Sequence, residues 1–133
     1  MKKIEHIGIA VNDLAKSEEL FTKLFDKKPY KREEVESEGV ITSFFKTGTN
    51  KIELLAATND ESAIAKYLSK NKEGIHHIAF EVADIYKEMA RLKNEGFIIL
   101  NEKPKRGADN KLVCFIHPKS ANGVLIELCQ EIR

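Results

Sequence analysis

The sequence predicts an α+β fold made of two tandem strand–helix–strand–strand–strand modules whose sheets curve around a cavity. Three observations predict it. First, the stretch Gly74-Ile75-His76-His77-Ile78-Ala79-Phe80-Glu81-Val82 repeats Glu5-His6-Ile7-Gly8-Ile9-Ala10-Val11 near the N-terminus, with His6 on His77 at an offset of 77 − 6 = 71. Second, Lys51-Ile52-Glu53-Leu54-Leu55 returns as Leu125-Ile126-Glu127-Leu128-Cys129, at an offset of 127 − 53 = 74. Third, the polar stretch Asn71-Lys72-Glu73-Gly74 stands between the copies as a joint. An internal repeat constrains architecture before any single residue is interpreted. At 133 residues the chain is one domain's worth, with module 1 at about 1–57, a connecting helix at about 62–70 and module 2 at about 74–133.

The elements follow in order. Ile4 to Val11 alternates, with Ile7, Ile9 and Val11 on one face and His6, Gly8 and Ala10 on the other, so it reads as a strand. Asp13 is placed to cap a helix over residues 14–25, in which Leu14, Phe21, Leu24 and Phe25 recur at helical spacing. Tyr30 to Val35 is a strand, Ser37-Glu38-Gly39 a turn and Val40 to Phe45 a β-branched and aromatic strand. Gly48-Thr49-Asn50 turns the chain into a strand from Lys51 to Ala56. Ser62 caps a short helix through Leu68, with Ile64, Tyr67 and Leu68 as its apolar side.

The second module repeats the order. His76 to Val82 is a strand. Asp84 caps a helix carrying Ile85, Met89 and Leu92, which Gly96 ends. Strands are predicted at Phe97 to Leu100, Leu112 to Ile116 and Val124 to Leu128. Loops are predicted from Pro104 to Asn110, with Gly107 and Asn110 suited to positive φ, and from His117 to Gly123.

Parity on these strands sets up a site. His77 shares its face with Ala79, as His6 does with Gly8 and Ala10, while Glu53 and Glu127 oppose the Ile/Leu positions beside them. Each module thus offers one His and one Glu on the face away from its helix. Two carboxylates converging in a largely apolar cleft would repel or stay protonated. A divalent cation resolves this, and two imidazole nitrogens with two carboxylate oxygens suit Zn²⁺, Co²⁺, Ni²⁺ or Mn²⁺, one ion per module pair. His76 falls one residue off this register and reads as structural or as a support to the ligands.

Composition excludes other classes. Lys and Arg number 22 against 21 Asp and Glu, so no basic excess points to nucleic acid or an anionic membrane. No apolar run is long enough to span a bilayer, and the first residues enter a strand rather than a signal peptide. Cys114 and Cys129 give no disulfide framework and read as buried thiols in a reducing cytoplasm.

The doubled His stretch, the Lys51–Leu55 segment and the run His117-Pro118-Lys119-Ser120…Gly123-Val124-Leu125-Ile126-Glu127-Leu128 resemble the vicinal oxygen chelate superfamily, and within it the methylmalonyl-CoA epimerase branch. The resemblance covers nearly the whole chain. It implies a glyoxalase-like fold of two βαβββ modules, a homodimer, an acyl-CoA substrate and the metal ligands His6, Glu53, His77 and Glu127. The chain departs from the branch in two places. Some epimerases of this branch carry Gln at the place of Glu53, and some carry a proposed base at the place of Thr42.

Epimerisation removes a proton from one face of a carbon and returns it to the other, which calls for two acid/base groups. Glu127 and Glu53 are the catalytic pair expected here. Lys119 and Ser120 are candidates for the substrate carboxylate or a CoA phosphate. The alternative is lactoylglutathione lyase, which belongs to the same superfamily and is associated with a two-His, two-Glu ligand set. Two further readings are an aromatic-ring-cleaving dioxygenase, against which the fourth ligand speaks, and a metal-free sequestering protein, which would not need the two His and two Glu.

Overall fold

The computed structural model describes residues 1–132. Among them, eight strands and three α-helices follow in order: β1 (Lys3–Ala10), α1 (Leu14–Phe25), β2 (Lys31–Val35), β3 (Val40–Thr47), β4 (Asn50–Ala57), α2 (Ala63–Lys70), β5 (Gly74–Glu81), α3 (Ile85–Asn94), β6 (Lys105–Gly107), β7 (Lys111–Ile116) and β8 (Ile126–Glu131). None of the described helices is long and apolar enough to cross a membrane. The chain falls into two compact units, one of residues Ile7–His76 and one of Met1–His6 with the chain from His77 onward.

In the unit Ile7–His76, β2 pairs antiparallel with β3, and β3 with β4. Asp13 starts α1 by accepting a hydrogen bond from the Lys16 N–H at 3.0 Å, and Ser62 starts α2 by accepting from Ala65 N–H at 3.1 Å. Each carboxylate or hydroxyl satisfies an amide that the first helical turn leaves unpaired. Parity then sorts the strands into two layers. Val11, Leu54 and Ala56, with Ile9 and Ile52, pack with Phe45 and with Leu14, Phe21 and Phe25 of α1. Ala10, Val40 and Leu55 pack with Ile64, Tyr67 and Leu68 of α2. Successive residues of one strand thus enter opposite cores, as period-two geometry demands.

In the other unit, β5 pairs parallel with β8, β8 antiparallel with β7, and β7 antiparallel with β6. Helix α3 is capped by Asp84, which accepts from Lys87 N–H at 3.1 Å. It ends where Gly96 takes φ 93°, with Gly96 N–H bonding Lys93 O and Phe97 N–H bonding Leu92 O. This paired arrangement satisfies carbonyls that the helix would leave open. Ile85, Met89 and Leu92 pack on Val82, Cys114, Ile116 and Leu128, with Ile126 and Phe80 alongside.

Three expected elements differ. Residues 97–100 form a single bridge, Ile99 to Ile116, rather than a strand. Ile98 N–H donates to the Ser120 hydroxyl at 3.2 Å and Phe115 N–H to Asn101 Oδ1 at 2.9 Å. Side chains thereby take amides that a longer ladder would need. Inside the expected loop, Lys105–Gly107 forms β6 against β7, and Asp109 and Asn110 with φ 60° and 55° make the turn between them. Gly107 is extended, not left-handed; a Cβ there would meet Val113 Cγ2 at 3.0 Å. The last strand begins at Ile126 and runs to Glu131, because Val124 N–H still bonds Ala121 O in the preceding turn.

Leu54 has no exposed surface. Leu54→Ala should therefore cost about 2–5 kcal/mol in urea unfolding, and Asp13→Ala about 1 kcal/mol, since the first opens a cavity and the second removes one cap.

Candidate metal centre

Three of the residues expected at the site converge in the unit formed by Met1–His6 and the chain from His77. His6 comes from β1, His77 from β5 and Glu127 from β8. The parallel register sets Ala79 opposite Glu127, so His77, two residues earlier on the same face, leans toward the carboxylate. Phe115 pairs with Glu127 on its other side, and its ring stands edge-to-face against His77 at 6.0 Å. Ala79, Val113 and Cys129 pack with Phe115 as the apolar surround.

The donor atoms are close. His6 Nε2 and His77 Nε2 lie 3.0 Å apart. Glu127 Oε1 is 3.0 Å from His77 Nε2 and 3.6 Å from His6 Nε2. All three residues are between 4% and 6% exposed. Ligands about 2.1 Å from a divalent ion stand roughly 3.0 Å apart at right angles and roughly 3.4 Å apart at the tetrahedral angle. Two of the observed separations, both 3.0 Å, fall in that span and the third, 3.6 Å, lies just beyond it. Two imidazole nitrogens with one carboxylate oxygen are a suitable donor set for a first-row divalent ion. The residues present therefore fit such a metal.

Burial alone would raise the pKa of Glu127. The facing imidazoles of His6 and His77 outweigh it and hold this carboxyl well below the usual carboxylate range. Glu127 is thus an anion facing two imidazoles. The neighbouring Cys114 thiol is pushed up to about 11, first by burial and then by the charge on Glu127, and it packs in the apolar layer with Ile116 and Leu128.

The other expected residues are placed as follows. Glu53 is buried on β4 in the unit Ile7–His76, in register with Phe44 of β3. Thr42 is 1% exposed on β3 and carries a hydroxyl. Lys119 is exposed. The Ser120 hydroxyl accepts from Ile98 N–H and donates to His117 O at 3.0 Å, tying the turn that leads to β8. His117 accepts the Lys119 N–H on Nδ1 at 2.9 Å, which makes it a support of that same turn. His76 stands edge-to-face against Tyr67 at 4.9 Å.

Two residues escape sequence reasoning. Glu5 is 3% exposed, and its Oε1 lies 2.7 Å from His6 Nδ1. Lys111 is 6% exposed, with Nζ 3.9 Å from Glu5 Oε2. Parity places Glu5 on the face opposite His6, which hides it. The available signal is chemical: a ligating histidine needs a partner for its second nitrogen, and a Glu stands next to it.

Comparison with known proteins decides the family. Residues 5–115 match the model of the Glyoxalase/Bleomycin resistance protein/Dioxygenase superfamily. The chain belongs to this superfamily. This superfamily member is 41% identical over 127 residues to the mitochondrial methylmalonyl-CoA epimerase of Dictyostelium discoideum, spanning 95% of the chain and 76% of that protein. It is 38% identical over 130 residues to the ethylmalonyl-CoA/methylmalonyl-CoA epimerase of Cereibacter sphaeroides, at 96% and 97% coverage. A solved structure of a Streptomyces coelicolor methylmalonyl-CoA epimerase variant in complex with 2-nitronate-propionyl-CoA superimposes with a TM-score of 0.95, at 34% identity, covering 100% of this chain and 99% of that one. The glyoxalase-like α+β fold that the resemblance implied is the fold of this chain.

His77→Ala should lower the divalent metal content measured by elemental analysis after dialysis against Co²⁺ or Zn²⁺. Stoichiometric metal in that variant would remove His77 from the ligand set.

Proposed function

We propose that this superfamily member is a metal-dependent isomerase that interconverts the C2 epimers of methylmalonyl-CoA. The observation that carries the reading is the buried convergence of His6, His77 and Glu127, in a chain whose relatives are named methylmalonyl-CoA epimerases over nearly its full length. The relative solved with an acyl-CoA analogue supports an acyl-CoA substrate for the same fold.

In this proposal His6, His77 and Glu127 hold the ion, and Glu53 completes the set. Support for Glu53 comes from the repeat, which places it where Glu127 stands in the second copy. One divalent ion, of Co, Zn, Ni or Mn, supplies Lewis-acid stabilisation for the negative charge that builds on the thioester oxygen.

The chain's own residues handle the proton. Epimerisation needs a group for each face of C2, and Glu127 and Glu53 are the proposed pair. Glu127 is already ionised, so it can accept a proton at neutral pH. As one of the residues holding the ion, Glu127 would be a weak base until its own hold there loosens, so proton abstraction and loosening go together. Thr42 has no carboxylate to offer, which leaves Glu53 as the second acid/base group in this reading.

Lys119, exposed in the turn before β8, is the proposed contact for the substrate carboxylate or a CoA phosphate. Ser120 joins it by exchanging its bond to His117 O for one to substrate. The same reading takes the chain as one glyoxalase-like domain of two modules, a homodimer as the resemblance implies, working in the cytoplasm. The two buried free thiols suit a reducing compartment.

The deciding experiment is solvent deuterium uptake at C2 of methylmalonyl-CoA in D₂O, with Co²⁺-loaded protein against a chelator-treated control. Metal-dependent exchange well above control is expected. Exchange no faster than control would overturn the reading and make the glutathione hemithioacetal of methylglyoxal the next substrate to assay.

Glu127→Gln and Glu53→Gln should each lower turnover by roughly 10²–10⁴-fold. They should leave the unfolding midpoint far less affected. Full activity in both variants would sink the two-base mechanism.

A further inference from the structure

Two nitrogens of the His6 ring face different chemistry. Nε2 points at His77 and Glu127, at 3.0 and 3.6 Å. Nδ1 lies 2.7 Å from Glu5 Oε1, a short contact between two buried side chains. A carboxylate can only accept a hydrogen bond, so the imidazole has to donate there. Donation from Nδ1 leaves Nε2 of the neutral ring with a lone pair.

Glu5 is itself held. Lys111 Nζ stands 3.9 Å from Glu5 Oε2 and 3.8 Å from Glu131 Oε1. Lys111 is 6% exposed, although lysine is almost never this buried without a carboxylate close by. Backbone pairing supports the placement: Lys111 lies opposite Glu131 across the β7–β8 ladder, on the face that carries Val113 and Phe115. Lys111, on a strand remote in sequence, thus braces the carboxylate behind the histidine.

We infer that Glu5, braced by Lys111, is the positioning residue for His6: it accepts the Nδ1–H, fixes the ring's tautomer and aims the Nε2 lone pair at the place where His77 and Glu127 converge. The inference deepens the metal-site reading above and rests on it. A partner of this kind also turns the ring and raises the basicity of the ligating nitrogen, and its loss typically costs 10–100-fold in metal affinity. Glu5 touches neither metal nor substrate in this role; it acts through His6.

The test has two parts. Long-range ¹H–¹⁵N correlation of the labelled metal-free protein should show His6 protonated at Nδ1 and bare at Nε2. A ring protonated at Nε2 instead overturns the proposal without any variant. The second part measures Zn²⁺ affinity by competition with a chromophoric chelator. Glu5→Gln should bind Zn²⁺ about 10–100-fold more weakly. Its metal-free urea midpoint should stay close to the parent's. Lys111→Arg should stay near the parent, and Lys111→Met should move toward Glu5→Gln. Parent affinity in Glu5→Gln overturns the inference. If the parent takes up no Zn²⁺ yet keeps the Nδ1–H tautomer, the metal reading fails by itself. The His6 tautomer in Glu5→Gln then decides the role of Glu5: loss of the Nδ1–H form upholds it, and retention refutes it.

Discussion

A carboxylate buried against two imidazoles is the constraint on which the candidate site depends. Glu127 would be costly to ionise at 6% exposure without compensation. His6 and His77 supply it, from two other strands, at distances that also suit ligands of one ion. The strands must keep their register for this to hold. A slip of one residue in β8 would turn Glu127 into the layer of Ile126 and Leu128 and bring an isobutyl group to the imidazoles.

That register is secured on the opposite face. Ile126 and Leu128 pack under α3, whose Ile85, Met89 and Leu92 are each no more than 5% exposed. The apolar layer is therefore what holds the polar one in place. The caps contribute at the ends: Asp84 and the Gly96 turn fix where α3 starts and stops, and so which of its residues face the sheet. Membership of the Glyoxalase/Bleomycin resistance protein/Dioxygenase superfamily fits this division of labour, with a shared scaffold and the chemistry carried by a few inward positions.

Much of this is legible in the amino-acid sequence. The helix over residues 14–25 is readable because a capping Asp, helical spacing and apolar periodicity agree. The sorting of Ile52 and Leu54 away from Glu53 follows from parity, and the two cores bear it out. The segment 97–100 misleads, because a short apolar run does not reveal that Ser120 and Asn101 will take the amides a strand would use. The charged β6 escapes notice for the converse reason, since its pairing with β7 owes nothing to apolar alternation.

By itself, the sequence determined the doubled module, the helix starts and which face each His and Glu of the repeat would take. These follow from local backbone geometry, where a period of two or of 3.6 residues is the same in any protein. Only the tertiary structure decided that Glu5 reaches the His6 ring from the next residue and that Lys111 stands behind it. It also decided that the Ser120 hydroxyl bonds His117 O within its own turn. Such contacts depend on how long, flexible side chains find partners once remote strands are paired, and no local period encodes that.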